Sequence, residues 1–267
     1  MNSAIFPIGV FDSGMGGLSV LKALKQALPA ESFLYLGDTA RLPYGTKSIE
    51  TVQHYAKQMA NILIKRQVKA LVIACNTATT AALTLLQSIY PELPIIGVLH
   101  GGANAAANAS SNQQIYILAT ETTIASLGYQ KEILARLKDA KIKAKAANSL
   151  VALAEEGIVN SPFVTEAFKY YLNDLKDEDT LLLGCTHFPV FIPFLKNLLP
   201  NVALINPAEA TAAALKLTLT ELNLLNPTKD PKVKYLVTDS IHRFKQVGAI
   251  FLSESLEYSD VELVNGF

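Results

Sequence analysis

Short apolar runs alternate with amphipathic segments along almost the whole chain, and this alternation limits the folds it can adopt. Runs with the length of strands occupy 5–11, 33–37, 70–75, 94–99, 115–120, 141–147, 181–185, 202–206 and 234–238. Several show little polar alternation, as is typical of parallel strands covered on both faces. The segments between them carry apolar stripes at helical spacing: Leu18, Leu21, Leu24 and Leu28, then Ile49, Val52, Ala56, Met59 and Leu63. Repeated strand–helix units of this kind predict an α/β fold with right-handed crossovers.

The chain also has the pattern of a doubled unit. In each half a buried run ends in a cysteine, Cys75 or Cys185, that is followed by small polar residues. We therefore predict two similar open parallel-sheet α/β lobes with the active site in the cleft between them. Residues 1–97 plus 207–267 would form the first lobe and 98–206 the second. One continuous doubly wound sheet is the alternative that the pattern leaves open.

Composition indicates a compact globular protein and argues against several classes of partner. Half of the 267 residues are apolar and 17% are charged, which is not the profile of a disordered chain. Basic and acidic residues balance at 23 each, so no overall field attracts nucleic acid or anionic lipid. No apolar run approaches the ~20 residues that span a bilayer, and the first residues lack the basic start of a signal peptide. With only two cysteines, a reducing cytoplasm is expected rather than a disulfide-stapled secreted fold.

The two cysteines are the leading candidates for chemistry. A single buried cysteine is usually a small structural hydrophobe. Both of these, however, fall at the carboxyl ends of predicted strands, where open α/β sheets form their ligand crevices. Neither lies in a C-x-x-C pattern and no His/Cys cluster has metal-ligand spacing, so we predict no metal. Two thiols facing each other across a cleft could move a proton from one side of a carbon to the other, as in a cofactor-free racemase. Each also precedes a predicted helix start, whose N–H dipoles favour the thiolate.

The four histidines differ in their setting. His187 follows Cys185 by two residues and is within reach of that thiol or of its substrate. We expect His54, His100 and His242 to be structural, because no comparable motif surrounds them.

Two turn-rich segments follow the first two predicted strands. The glycines of segment 11–18 would let its backbone approach an anion at a helix N-terminus, but the segment matches neither the dinucleotide fingerprint nor a P-loop. Asp12 in this segment could cap a helix, pair with a substrate ammonium or orient Cys75, and the local sequence leaves these roles open. Segment 37–45 is either a surface turn or a second loop at the same sheet edge.

These motifs together resemble those of bacterial glutamate racemases, in the aspartate/glutamate racemase superfamily. The similar stretches are GVFDSGMGGLSVL at 9–21, YLGDTARLPYGTKS at 35–48, ALVIACNTAT at 70–79, PIIGV at 94–98, ALAEEG at 152–157 and LLGCTHFP at 182–189. The resemblance runs nearly end to end. It implies a substrate clamped between two lobes, no metal or other cofactor, a homodimer, and D-glutamate supplied for peptidoglycan.

The resemblance also implies roles for individual residues. Cys75 is similar to the base that takes the Cα proton from D-glutamate, and Cys185 to the base that takes it from L-glutamate. Asp12 and His187 are similar to the polar partners of the respective thiols. The positions similar to substrate-binding residues are Asp12, Ser13, Pro43, Tyr44, Gly45, Asn76, Thr77, Thr186 and His187, with Glu155 and Thr120 as further candidates.

Some points stay open at this level. Residues 119–123 read ATETT where the family pattern is often G-T-x-x-T, so the contacts of this loop are uncertain. Either Glu155 or Glu156 could be the acidic residue of the family. A racemase of the same fold for another amino acid, such as aspartate, is an alternative function. An amino-acid-binding or regulatory protein without catalysis is another.

Overall fold

The computed structural model describes residues 3–228 and 230–264, and in these ranges it has an α/β architecture. Its strands are β1 (Ile8–Asp12), β2 (Phe33–Gly37), β3 (Ala70–Ile73), β4 (Ile95–Gly97), β5 (Gln114–Ala119), β6 (Lys141–Ala146), β7 (Thr180–Gly184), β8 (Ala203–Ile205), β9 (Val233–Val237) and β10 (Val261–Leu263). Its helices are α1 (Leu18–Ala27), α2 (Ile49–Ile64), α3 (Asn76–Ile89), α4 (Val98–Ala109), α5 (Glu121–Ala125), α6 (Gly128–Arg136), α7 (Asn148–Glu155), α8 (Pro162–Tyr171), α9 (Ile192–Leu198), α10 (Pro207–Glu221) and α11 (Ile241–Leu252).

The strands form two separate sheets in which each neighbouring pair is parallel. The first sheet has the order β10-β9-β2-β1-β3-β4 and the second the order β6-β5-β7-β8. The predicted fold class is therefore confirmed, and the alternative of one continuous sheet is wrong. The lobe boundaries near 97–98 and 206–207 stay a prediction, because the helices that begin there, α4 and α10, pack against each other.

The nine predicted strands are all present, although the one predicted over 94–99 ends at Gly97 because α4 begins at Val98. Two further local expectations were wrong, and one strand was not predicted. The chain makes a 3₁₀ turn at Ser3–Ile5, and β1 begins only after Pro7, which has no N–H for a strand ladder. Ile49 is 44% exposed, unlike the rest of its stripe, because it lies in the first turn of α2 just after the Ser48 cap. The short strand β10 was not predicted, since three residues at the edge of a sheet are too few to show periodicity.

Apolar helix faces fix the sheets in place. Leu18, Leu21 and Leu24 of α1 are fully buried in one core, and the inward stripe of α2 is buried in another. The segments that follow β1, β2 and β3 in the first sheet, and β5 and β7 in the second, meet around one cavity. The carboxyl ends of the two sheets therefore face each other.

Candidate active site

The cavity between the two sheets is lined almost entirely by residues predicted to form the site. The lining residues are Ser13, Pro43, Tyr44, Gly45, Cys75, Asn76, Thr77, Thr120, Val151, Cys185, Thr186 and His187. Asp12 and Glu155 lie directly behind this wall and contact it through hydrogen bonds. Val151 was not predicted, because an apolar residue on a helix stripe carries no motif of its own.

The cavity is narrow and only partly enclosed. It contains about 270 Å³ of empty space, of which about 10 Å³ admits the centre of a water-sized sphere. That is roughly the minimum needed to hold one water molecule.

Cys75 lies at the junction of β3 and α3 and caps the helix N-terminus. Its Sγ accepts a hydrogen bond from the Ala78 amide at 3.4 Å and lies 3.6 Å from the Ser13 hydroxyl. Burial raises the pKa of Cys75 to about 12, the charge of Asp12 adds to the rise, and the hydrogen bonds that Cys75 makes with Ala78 and Ser13 oppose it. In the free protein Cys75 is therefore a thiol at neutral pH and has a proton to donate.

Cys185 follows β7, and the helix start predicted directly after it was wrong. A 3₁₀ turn at Phe188–Phe191 comes first, and α9 begins at Ile192. Pro193 has no N–H to donate to the carbonyl four residues earlier, so a continuous α-helix cannot cover this stretch. A helix N-terminus was expected beside both thiols, and it lies beside Cys75. At Cys185 the neighbouring polar group is His187 instead.

Three buried side chains contact one another in a row that leads away from the cavity: Cys185, His187 and Glu155. His187 Nδ1 lies 3.7 Å from Cys185 Sγ, and His187 Nε2 lies 2.5 Å from Glu155 Oε1. Glu155 is therefore the acidic residue of the site, because Glu156 is 62% exposed and pairs with Arg243 instead.

The charge state of His187 follows from its two neighbours. Burial by itself would lower the pKa of His187, but the hydrogen bonds and charges of Cys185 and Glu155 outweigh burial and hold this pKa well above its usual range. His187 is therefore an imidazolium at neutral pH. It can donate a proton towards the sulfur while Glu155 fixes its ring.

Asp12 is fully buried and connects the two lobes. Its Oδ2 accepts from the Gly14 amide at 3.0 Å, and its Oδ1 accepts from the Thr186 hydroxyl at 3.2 Å. Burial raises the pKa of Asp12, while His187 and the Gly17 and Gly14 amides oppose the rise. Asp12 is not the N-cap of α1, since Gly17 occupies that position. Although similarity assigned it to Cys75, Asp12 also contacts the Cys185 loop.

The loop after β2 forms the roof of the cavity, so the surface-turn interpretation of 37–45 is wrong. Tyr44 is fully buried and donates its hydroxyl to Asp38, which also accepts from Arg41 at 2.7 Å and from Thr238 at 3.0 Å. The buried Asp38 carboxylate therefore ties the roof to the segment directly after β9.

Hydroxyl groups from both lobes meet beside this roof, where Thr120 lies against Gly45. Thr77 Oγ1 lies 2.8 Å from Thr120 Oγ1 and 3.2 Å from Thr123 Oγ1. Asn76 accepts a hydrogen bond from Tyr129 at 2.5 Å. The unusual Glu121 is exposed and its amide bonds Asn148, so its side chain lies outside the lining. Sequence reasoning did not assign Thr123, although it matches the last threonine of the G-T-x-x-T pattern, and it missed Tyr129, which no local pattern distinguishes from a core residue.

The remaining histidines lie outside the cavity lining, as expected. His100 pairs with Glu132 on the surface, and His242 lies 3.1 Å from the Tyr258 hydroxyl. Within the ranges 3–228 and 230–264, no group of three or more His, Cys, Asp or Glu side chains is placed to hold a metal ion. Nor do those ranges contain a helix long and apolar enough to cross a membrane.

Two parallel-sheet lobes around a cavity that both cysteines line place the protein in the α/β class, and the comparisons specify its family. Residues 8–215 match the family model described as Asp/Glu/Hydantoin racemase. The chain belongs to this racemase family. It is 40% identical over 256 residues to a glutamate racemase of Syntrophus aciditrophicus, covering 94% of each chain.

Solved structures agree over the whole fold. Glutamate racemase from Francisella tularensis, in complex with D-glutamate, superposes with a TM-score of 0.91 at 37% identity and 98% coverage of both chains. A glutamate racemase isoform from Bacillus anthracis gives a TM-score of 0.92 at 36% identity and 97% coverage of both chains.

Proposed function

We propose that this protein interconverts L- and D-glutamate by moving the Cα proton between two cysteine thiols, without a metal or organic cofactor. The observation that carries the proposal is that Cys75 and Cys185, which follow strands of different sheets, line one buried cavity. The substrate is supported by relatives named glutamate racemase at 39% and 40% identity and by the D-glutamate in a similar structure.

The reaction uses one thiolate and one thiol, and its raised pKa makes Cys75 the thiol in the free protein. For L-glutamate, the Cys185 thiolate removes the Cα proton and the electron pair left on Cα spreads into the adjacent carboxylate. The Cys75 thiol then adds its own proton on the opposite face, which yields D-glutamate. The reverse reaction uses Cys75 as the base and Cys185 as the acid.

Each thiol has a different polar environment for its part of the reaction. At Cys185, the imidazolium of His187 shares a proton with the sulfur, and Glu155 orients the ring, as a carboxylate orients the histidine of a catalytic triad. At Cys75, the Ser13 hydroxyl and the N-terminus of α3 stabilise the thiolate once it forms. Asp12 lies between these two environments and is placed to assist either proton transfer.

The rest of the lining binds the charged groups of the substrate. Ser13, Thr77 and Thr186 supply hydroxyl donors, and the first amides of α3 favour an anion. Donors aimed at the α-carboxylate stabilise the negative charge that develops when Cα loses its proton. Exclusion of water from the narrow cavity strengthens these contacts.

The experiment that tests the proposal follows the circular dichroism of pure L-glutamate, with L-aspartate in parallel. We expect the glutamate signal to decay to zero and the aspartate signal to persist. Decay of the aspartate signal alone would reassign the substrate, and no decay of either would indicate a binding protein.

The two-thiol mechanism has its own test. Cys75→Ala and Cys185→Ala should each abolish racemisation, because one face of Cα is left without an acid or base. In D₂O the wild-type protein should place deuterium at Cα of the newly formed enantiomer. Robust racemisation by either folded alanine variant would contradict the mechanism.

The wider setting extends the same proposal. D-glutamate would be supplied for peptidoglycan synthesis in the cytoplasm by a homodimer. Activity should survive exhaustive chelation with EDTA, and activity lost with EDTA and restored by a divalent ion would contradict the cofactor-free mechanism. Size-exclusion chromatography with light scattering tests the dimer.

A further inference from the structure

We propose that Arg243 is a positioning residue for the Cys185 half of the reaction, acting through the C-terminal end of α7. The proposal rests on the function proposed above, because it assigns Arg243 to one step of that reaction. Arg243 lies on α11, which follows β9 of the first sheet, whereas α7 follows β6 of the second sheet. Its contact therefore crosses between the lobes directly behind the cavity.

The end of α7 needs a cap that the helix itself does not provide. The last carbonyls of an α-helix have no partner within the helix. Gly157 adopts a left-handed φ of 71° and its amide donates to the Ala154 carbonyl, while the Ile158 amide donates to Leu153. These turn bonds do not reach the carbonyl of Glu155.

Arg243 supplies the missing donor from the other lobe. Its Nη2 lies 3.1 Å from the Glu155 carbonyl oxygen and 3.3 Å from the Glu156 carboxylate. A cation at a helix C-terminus also interacts favourably with the helix dipole. The guanidinium thus fixes the backbone of the residue whose side chain contacts His187.

The buried carboxylate of Glu155 has few polar contacts. Its Oε1 contacts His187 Nε2, while its Oε2 is buried without a hydrogen-bond partner among the described residues. The direction of the carboxylate therefore depends on the backbone at the end of α7. A displacement there passes to His187 and then to Cys185, whereas the partners of Cys75 lie on other elements.

Helix α11 is well anchored for this task. Its buried side chains Phe244, Val247 and Leu252 pack in the same core as α1, and Lys22 and Lys25 of α1 bond Ser253 and Glu254 just past its end. The ring of Phe251 packs edge-on against His187, with ring centroids 5.3 Å apart. The helix therefore contacts the Glu155–His187 pair through two side chains, Arg243 and Phe251.

The test is Arg243→Ala, measured with protonated and Cα-deuterated substrates. We expect kcat/KM to fall about tenfold, within the range for residues that act through a contact network. The fall must be equal in both directions, because the two enantiomers have equal free energy. The deuterium isotope effect should rise with L-glutamate, whose proton goes to Cys185, and fall with D-glutamate, whose proton goes to Cys75.

Two further variants separate positioning from general stability. Arg243→Lys keeps a cation that can reach the Glu155 carbonyl and should recover most of the rate. Lys245→Ala is the matched control, because Lys245 lies on the same helix but stacks on Tyr258, and it should behave as wild type. A folded Arg243→Ala protein with kcat/KM within twofold of wild type, or with isotope effects that change equally for both enantiomers, would overturn the proposal.

A second readout does not depend on racemisation. Alkylation by iodoacetamide should become about tenfold slower at Cys185 in Arg243→Ala and stay unchanged at Cys75, because only the His187 side is displaced. Unchanged alkylation at both thiols would also overturn the role of Arg243. If wild-type protein fails to racemise glutamate yet this difference appears, the proposed function fails and the positioning role stands.

Discussion

The proton on Cys75 should be harder to remove after Ser13 is replaced by alanine. Ser13 is one of two groups that lower the pKa of Cys75 against the effects of burial and Asp12. The Ser13→Ala substitution removes this hydroxyl and adds no volume to the cavity. We therefore expect the pKa of Cys75 to rise above its value of about 12.

The size of the effect follows from the geometry. A pKa of about 12 in place of the ordinary 9.0 makes the thiolate about 10³-fold rarer than that of an ordinary thiol at neutral pH. A hydrogen bond to a charged group contributes about 1.5–3 kcal/mol. The separation of 3.6 Å between Sγ and Oγ is long, so we take the lower figure. Loss of the bond should then reduce the thiolate population about tenfold.

Alkylation without substrate measures this population directly. Iodoacetamide reacts with the thiolate, and peptide mass spectrometry distinguishes Cys75 from Cys185. The wild-type rate at Cys75 should rise about tenfold per pH unit from pH ~7.5 to ~9.5, and the Ser13→Ala rate should run parallel and about tenfold lower. Ser19→Ala is the control, because its hydroxyl bonds the Gly16 and Thr186 carbonyls rather than the sulfur.

Two results would refute the reasoning. A wild-type plateau near pH ~9 would mean that burial does not raise the pKa of Cys75 as the structure indicates. Equal alkylation rates in folded Ser13→Ala and wild-type proteins would mean that the Ser13 hydroxyl does not stabilise the thiolate.

Three further substitutions have distinct expected outcomes. Asp12→Asn should lower kcat/KM by about 10²–10⁴-fold, because an amide cannot accept a proton in either transfer; a folded variant within twofold of wild type would contradict this. His187→Asn should slow mainly the Cys185 step, seen as a larger isotope effect with L-glutamate. The pKa of His187 is raised, so the contribution of its charge to stability is complete below about pH 6.5 and is lost as the pH rises through the raised pKa. The Tm values of wild type and variant should therefore converge with rising pH, and profiles that do not converge would refute this. Gly45→Ala would place Cβ 2.5 Å from Thr120 Cβ in the other lobe. KM should therefore rise about 10- to 100-fold with little change in Tm. A KM equal to that of wild type would show that the loop after β2 moves to accommodate the added methyl group.

The sequence predicted the parts of the site that depend on local pattern. Cys75 and Cys185 could be located because each ends a buried strand, and parallel strands bring their carboxyl ends to one edge. The surroundings of Cys185 could not be predicted in this way. A 3₁₀ turn occupies the place of the expected helix start, because Pro193 prevents one continuous α-helix. Arg243 and Phe251 approach the site from a distant helix with no motif, so only the packing of α11 reveals them.

The narrow cavity limits how fast substrate can enter. A space that barely holds one water cannot admit glutamate unless the lobes first separate. The association rate would then be limited by how often the protein opens, and turnover by how fast it reopens around product. Added viscogen should slow both steps more than the proton transfer itself. A ligand bulkier than glutamate would trap the open form and compete by holding the lobes apart.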